Sequence, residues 1–496
     1  MSKSTTSQGR SSTASASRVR SRGRLTVAAV TVGAALSGML SGCGVVGGDT
    51  VTVNVGYQSK TINTVNAGTL MRDRGEFEKA LSDAGKKTGT KYRVVWQDFS
   101  SGAPLTAAMI ATHVDIGSMG DYPLLTNGSK TRKYDDAATE FVATTGYNLR
   151  GSLNQVVVPN SSKATTLADL KGESVSTSLG SAGDGMFSTA LQKAGMSTDD
   201  VHVANQDPSI GAAAIEGGQV DAFAQFVPWP QLVVFRNQGR LLYDGGDNGV
   251  PTFHGVVTRK QFAGAHPEVI SAFVTAMSKT NDYLRTQPLQ AAQRLSKITG
   301  IEPEVAYLYN GPNGLVSFDL PIKQQFRESL QQVKKFLVKR KSVTKDFDID
   351  GFINESAVRH TLGASYTAHR DNLANPTPLT GTDDLCRLPV GDPATASEVW
   401  FSGDDHTVPA ATPSCLLRRV ADTTSRTPRA VYVPDAVTGT KLFADHATWL
   451  VDPAAPVTAR YLPFATQAGA ADYQRSHPGT TPVDYRTAVS QSTTTD

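Results

Sequence analysis

The chain has 496 residues, 39% hydrophobic and 19% charged, with 44 Gly, 25 Pro and 3 Cys. That length and apolar content provide for roughly two to four compact units, and they exclude a disulfide-dense miniprotein, a coiled coil and a wholly disordered chain. The formal charge of +3 is misleading, because Lys3, Arg10, Arg18, Arg20, Arg22 and Arg24 all precede Cys43 with no acid among them. A product starting at Cys43 is net acidic and has no basic stripe interleaved with aromatics, so no nucleic-acid partner is expected.

Residues 1–24 are rich in Ser, Thr and Arg, 25–40 form an apolar run of 16, and Leu40-Ser41-Gly42-Cys43 closes it. A basic start, an apolar stretch and small residues before a cut describe a secretory signal over 1–42. The run is shorter than the ~20 residues a membrane span needs. Gly44, Gly47 and Gly48 mark a tether over 43–50. Strands are then expected at 51–57, 92–96, 115–118, 155–158, 174–177, 201–204 and 220–225, with a return segment at 252–258. Helices are expected at 73–84, 104–111, 185–193 and 210–216. From 265 to 360 the pattern is mostly helical, for example 269–284 and 322–339. Strands alternating with helices of this length predict βαβ units and parallel sheets in two α/β lobes that exchange the chain, together spanning 51–370.

A composition break follows. Asn375-Pro376-Thr377-Pro378 and Gly381 predict a linker over 371–384. Beyond it stand one lysine, Lys441, and eight arginines, with 11 of the 25 prolines in the last 116 residues. A small α+β domain is expected at 385–478 and a disordered tail at 479–496.

Four junctions place small or polar residues just after a strand: Gly56-Tyr57-Gln58-Ser59, Ser100-Ser101-Gly102, Gly120-Asp121 and Gly180-Ser181-Ala182-Gly183. The first N–H groups of a following helix have no backbone partner there, and the dipole is positive, so each can hold an oxyanion. The alternative for each is a Ser or Asp that only caps its helix. Several such junctions at the carboxyl ends of strands in paired lobes point to a cleft.

Trp96-Gln97-Asp98-Phe99-Ser100-Ser101-Gly102 and Asp115-Ile116-Gly117-Ser118-Met119-Gly120-Asp121-Tyr122-Pro123 resemble the substrate-binding proteins of nitrate/sulfonate/taurine ABC importers. So do Leu167-Ala168-Asp169-Leu170-Lys171-Gly172, Gly180-Ser181 and Glu216-Gly217-Gly218-Gln219-Val220-Asp221-Ala222, in the family's order over about 50–360. The resemblance implies a two-lobe type II periplasmic-binding fold that closes by a hinge, a small anionic ligand (an aliphatic sulfonate, taurine or nitrate), and ABC permease subunits as partners. It implies no chemistry and no cofactor, and a monomer. Carried over by position, the ligand shell includes Gln58, Ser100, Ser101, Gly120, Asp121 and Ser181. Where the family often has Trp-Asp-Pro-Tyr this chain has Gln225-Phe226-Val227-Pro228-Trp229, so Trp229 is either the aromatic wall or core. Leu40-Ser41-Gly42-Cys43 resembles the bacterial lipobox, which implies lipid on Cys43 and an anchor at the extracytoplasmic face of the cell membrane. The alternative function is that of the related enzymes of thiamine-pyrimidine-precursor synthesis, or of a receptor for such a precursor.

Asp346, Asp348, Asp350 and Gly351 repeat the first half of a calcium loop, but Ala357 stands where the bidentate acid belongs, and a capped helix start is expected instead. Phe443-Ala444-Asp445-His446-Ala447-Thr448-Trp449, Thr458-Ala459-Arg460-Tyr461-Leu462-Pro463-Phe464 and Ala470-Ala471-Asp472-Tyr473 resemble the NosL-like copper-binding accessory lipoproteins of nitrous oxide reductase, without the methionines that soft Cu(I) favours. No metal is expected there. Cys386 and Cys415 either form a disulfide, consistent with export, or are thiolates of a metal site helped by His406 or His446.

Overall fold

The computed structural model describes residues 50–422 and 426–493. The expected signal, Cys43 and tether residues 44–49 lie outside the described residues. Eleven strands build two sheets: β1 (Thr50–Tyr57), β2 (Lys91–Asp98), β3 (Ile116–Gly120), β4 (Thr139–Asn148), β5 (Asn154–Val158), β6 (Ser174–Thr177), β7 (His202–Asn205), β8 (Ala222–Phe226), β9 (Arg240–Asp244), β10 (Thr252–Arg259) and β11 (Ser317–Phe318). The first lobe has the order β11-β4-β10-β3-β1-β2 and the second β7-β6-β8-β5-β9. The fold is mixed α/β with two lobes, as the sequence indicates.

The sheets are not purely parallel. β1 runs parallel to β2 and β3, and β6 parallel to β7 and β8. β10 is antiparallel to β3 and β4, and β5 is antiparallel to β8 and β9. The reason is connectivity: β4 leaves the first lobe where β10 returns beside it, and β5 enters the second where β9 leaves beside it, so each adjacent pair runs in opposite directions.

Two crossings, 149–153 and 245–251, join the lobes. Asn148 Oδ1 accepts from the backbone N–H groups of Arg150, Gly151 and Ser152, folding the first crossing tightly. Gly151 has φ +109°, and a Cβ there would lie 2.5 Å from Val250 O of the second crossing, so only glycine lets the two pass. Arg150 reaches Asp244 and Asp247 on the far side.

Helices Pro267–Thr286, Pro288–Thr299, Pro303–Asn310 and Gln324–Lys339 cover the expected helical region, three of them starting at proline, where the missing N–H costs nothing. Asp346 to Gly351 forms turns rather than the expected helix start, with Asp346 and Asp350 paired to Arg132 and Arg327 and Asp350 N bonded to Asp348 Oδ1.

Past the α/β part, β12 (Gly381–Asp383) pairs with β13 (Leu388–Val390). β14 (Ser397–Phe401), β15 (Thr407–Ala410), β16 (Pro428–Pro434) and β17 (Lys441–Phe443) form a sheet in the order β15-β14-β16-β17. β18 (Thr448–Val451), β19 (Tyr461–Phe464) and β20 (Thr481–Val483) form another, ordered β19-β18-β20. The tail is a correction to the sequence reading. Instead of disorder from 479, β20 pairs with β18, and helix Tyr485–Gln491 buries Ala488 completely, the polar residues around it facing out. The expected linker is also tied down: Asn313 N donates to Thr377 O and Leu379 N to Asn313 Oδ1.

Cys386 and Cys415 are bonded, with their Cα atoms 6.1 Å apart. The bridge ties the β12–β13 turn to helix Pro413–Ala421. His406 is exposed beside Asp405, and His446 packs edge-on to Phe443.

A buried polar network seats this segment on helix Pro303–Asn310. Lys441 Nζ donates to Glu398 and to Pro312 O (2.8 Å), and Tyr307 Oη and Thr407 Oγ1 donate to Glu398 Oε2 (2.9 and 2.6 Å). Lys441 also lies 4.8 Å from the ring centres of Tyr307 and Tyr432. Phe443 meets Phe235 of the second lobe, with centroids 5.0 Å apart.

Candidate ligand-binding cleft

The lobes face each other through the N-termini of two helices. Helix Asp121–Thr131 follows β3 of the first lobe, and helix Ala182–Lys193 follows the turn after β6 of the second. Each begins after a residue in extended backbone, Gly120 and Ser181. In the first the Asp121 carboxyl accepts from Tyr122 N (2.9 Å) and Pro123 has no N–H, so the amides of Ala182 and Gly183 are the orphan donors of the pair. A Cβ on Gly120 would lie 3.2 Å from Ala182 Cβ and 3.1 Å from His254 Cε1 and Nε2. Glycine therefore lets the second lobe and the imidazole approach the backbone.

Gly120, Asp121 and Ser181 are thus brought together. Ser181 Oγ accepts from Asp184 N (3.2 Å), so its hydroxyl caps its own helix. Ser101 is buried at the start of helix Gly102–Ile110 with no side-chain cap bond. Ser100 is exposed, and its Oγ donates to Asp207 Oδ1 of the other lobe (3.3 Å). Gln58 lies behind the cleft, donating from Nε2 to Ser118 O (3.0 Å). Trp229 joins an apolar cluster with Ile62, Val65 and Leu232, the core alternative, and Lys60 Nζ lies 5.7 Å from its ring centre.

The sequence reading missed other polar groups in the region. Ser118 Oγ and Thr177 Oγ1 are buried without a hydrogen-bond partner. Ser118 shares a strand face with Gly120, two residues on. Ser178 Oγ donates to Gln206 O and accepts from Gln225 Nε2. Asn63 and His254 are buried side by side, Nδ2 to Nδ1 2.6 Å. No local motif marks His254, since it reaches the cleft only because β10 lies beside β3. A polar residue between Phe253 and Gly255 in a buried strand was the available signal.

Burial raises the Asp121 carboxyl to about 7, against the N–H groups of Tyr122 and Phe253, which favour the charged form. Burial depresses the His254 imidazole to about 3. At neutral pH the cleft therefore holds a neutral imidazole and a partly protonated acid, both compatible with an incoming anion. For Asp121 the folded value lies above the unfolded 3.8, so its contribution is fully present below that value and is lost as pH rises through about 7. Asp121→Asn cannot lose that proton. In urea unfolding at pH 4.5 and pH 8, the variant should gain on the wild type by a few kcal/mol (order of magnitude) between the two. An equal difference at both pH values contradicts the assignment.

The comparisons agree with this geometry. Residues 136–291 match the family described as NMT1/THI5 like. The chain is 24% identical over 301 residues to a putative aliphatic sulfonates-binding protein of Escherichia coli (strain K12), covering 60% of this chain and 86% of that protein. It is 26% identical over 294 residues to the taurine-binding periplasmic protein of the same organism, covering 57% and 86%. The alkanesulfonate-binding protein SsuA from Xanthomonas axonopodis pv. citri, solved bound to MOPS, superposes with a TM-score of 0.52 at 21% identity over 62% of this chain and 99% of that one. The resemblance drawn from the ordered motifs holds, and the two-lobe fold with it. Among the described residues no helix is long and apolar enough to cross a membrane.

Proposed function

We propose that the chain is an extracytoplasmic receptor that captures a small sulfonate-class anion between its lobes and delivers it to an ABC importer. The observation that carries this reading is the meeting of two helix N-termini, one from each lobe, at Gly120 and Ala182 beside the His254 imidazole, with Ser118 Oγ and Thr177 Oγ1 near the carboxyl ends of β3 and β6 buried and unpartnered. Such backbone ends hold a sulfonate or nitrate without any cationic side chain, and an oxyanion would satisfy the idle hydroxyls. The names of the relatives, sulfonate- and taurine-binding, agree with that chemistry. The receptor acts as a monomer by hinge closure rather than as an enzyme, and it is held at the outer face of the membrane by lipid on Cys43. Palmitate labelling of Cys43 is the check on that anchor.

Thermal unfolding with millimolar ethanesulfonate, taurine, sulfate and nitrate tests the reading. A saturating ligand raises stability by RT ln(1 + [L]/Kd), about 2.7 kcal/mol at a hundredfold excess over Kd. A rise in Tm with ethanesulfonate or taurine is expected. No rise with any of the four anions refutes the receptor.

A further inference from the structure

The pair Asn63–His254 has a property the anion site alone does not require. Asn63 Nδ2 lies 2.6 Å from His254 Nδ1, and an amide N–H in that position only donates. Nδ1 is then the bare nitrogen, and the imidazole proton sits on Nε2. Nε2 borders Gly120, where helix Asp121–Thr131 begins and where Ala182 arrives from the other lobe. His254 is 2% exposed, and besides Asn63 its ring meets the backbone of Phe253. An Nε2–H beside the helix start at Gly120 is placed to donate to an anion.

Asn63 Oδ1 is also buried without a partner. A half-turn of the amide exchanges it with Nδ2, gives up the 3.4 Å bond to Gly146 O, and sets an acceptor against Nδ1. The pair therefore has two self-consistent states in which Nε2 carries a proton. In one, a neutral imidazole accepts from Asn63 and points its N–H at the cleft. In the other, an imidazolium donates to Asn63 from Nδ1 and to an anion from Nε2.

Building on the receptor reading above, we propose that His254 is a proton-coupled contact for the ligand: it donates from Nε2 to the bound oxyanion and takes a proton from solvent on Nδ1 as the lobes close, so that anion and proton are captured together.

Of the elements around it, helix Gln324–Lys339, stacked on β10 through Phe326 and Phe253, brings Arg327, paired with Glu355, and is preceded by buried Lys323, paired with Asp319. Helix Asp121–Thr131 carries Asp121 and Tyr122 on its first turn and Lys130 at its far end. Helix Ala182–Lys193 carries Asp184, which is held by Arg340, and Lys193 at its far end. β4 brings Glu140 and Tyr147, β10 ends in Arg259, and β3 and the 62–67 turn bring none. Asp121, the near acid, is itself largely protonated below about 7, so the protein offers the imidazolium little countercharge. The anion supplies it.

Calorimetric titration with ethanesulfonate, which does not titrate in this range, tests the coupling at pH 5.5 in two buffers of different ionisation enthalpy. The full chain should take up about half a proton or more per ligand. His254→Gln keeps an N–H donor; it should bind up to about tenfold more weakly and take up no proton at this site. Binding by the wild type without proton uptake, or uptake that survives in H254Q, overturns the proposal. Because H254Q could fold poorly, 15N spectra of histidine-labelled wild type give an independent reading: a neutral tautomer that becomes imidazolium on adding ethanesulfonate is expected, and an unchanged tautomer in the complex overturns the proposal. Absence of any binding is a different result. It refutes the receptor reading, and this inference falls with it.

Discussion

Gly185→Leu should reduce ethanesulfonate affinity by about a hundredfold or more and leave both lobes folded. Gly185 lies in helix Ala182–Lys193 of the second lobe, and a Cβ there would come within 2.2–2.4 Å of Tyr122 Cε1, Cδ1 and Cζ in the first. The Tyr122 ring has little room to yield, since Phe336 packs edge-on against it at 5.8 Å and its hydroxyl lies 3.4 Å from Thr189 Oγ1. The helix itself gains, because glycine is roughly 0.8–1.0 kcal/mol worse than alanine in a helix interior and leucine ranks just below alanine. The cost therefore falls on the approach of the lobes, which is where a hinge-closing receptor forms its site. Titration calorimetry and small-angle scattering check it: weak binding together with a larger radius of gyration is expected. Wild-type affinity in a correctly folded variant would mean that the ligand does not sit between these helices.

Lys441→Met should cost about 3–5 kcal/mol in urea unfolding, the range for breaking a buried pair by removing one partner. Lys441 is fully buried, and burial lowers its affinity for the proton, opposed by Glu398. Without it Glu398, 0% exposed, keeps only the Tyr307 and Thr407 hydroxyls as partners for its charge. Adding Glu398→Gln removes the stranded charge and should restore most of the loss, since replacing both members of a buried pair is often near neutral. If the single variant is as stable as the wild type, the network does not hold the C-terminal segment to helix Pro303–Asn310.

Those two sites mark where sequence reasoning stopped. The strands were legible because their apolar runs are short and bounded by Gly, Ser and Asp; β6, at Ser174–Thr177, falls where expected. β4 and helix Asp121–Thr131 were not read as elements, since Thr-Glu-Phe-Val-Ala-Thr-Thr and Asp-Tyr-Pro-Leu-Leu-Thr-Asn carry mixed polarity that only burial between layers explains. Gly120, Asp121 and Ser181 could be named because each stands where a strand gives way to a helix. Asn63, Tyr122, Gly185 and His254 could not, as their roles arise from contacts 60 or more residues apart in sequence, such as Asn63 with His254 at a separation of 191. Lys441 stood out in composition as the single lysine after residue 380, but its buried partner, Glu398, did not.

A crystal structure of the chain with ethanesulfonate tests the central claim most directly. The account predicts the sulfonate oxygens within hydrogen-bond distance of backbone N–H groups at the start of helix Ala182–Lys193, against the Gly120–Asp121 junction of the first lobe, with His254 Nε2 as a further donor. A sulfonate bound instead in the cavity of about 1040 Å³ between the second lobe and the C-terminal sheets, lined by Tyr243, Asp247, Val437 and Tyr473, would contradict it.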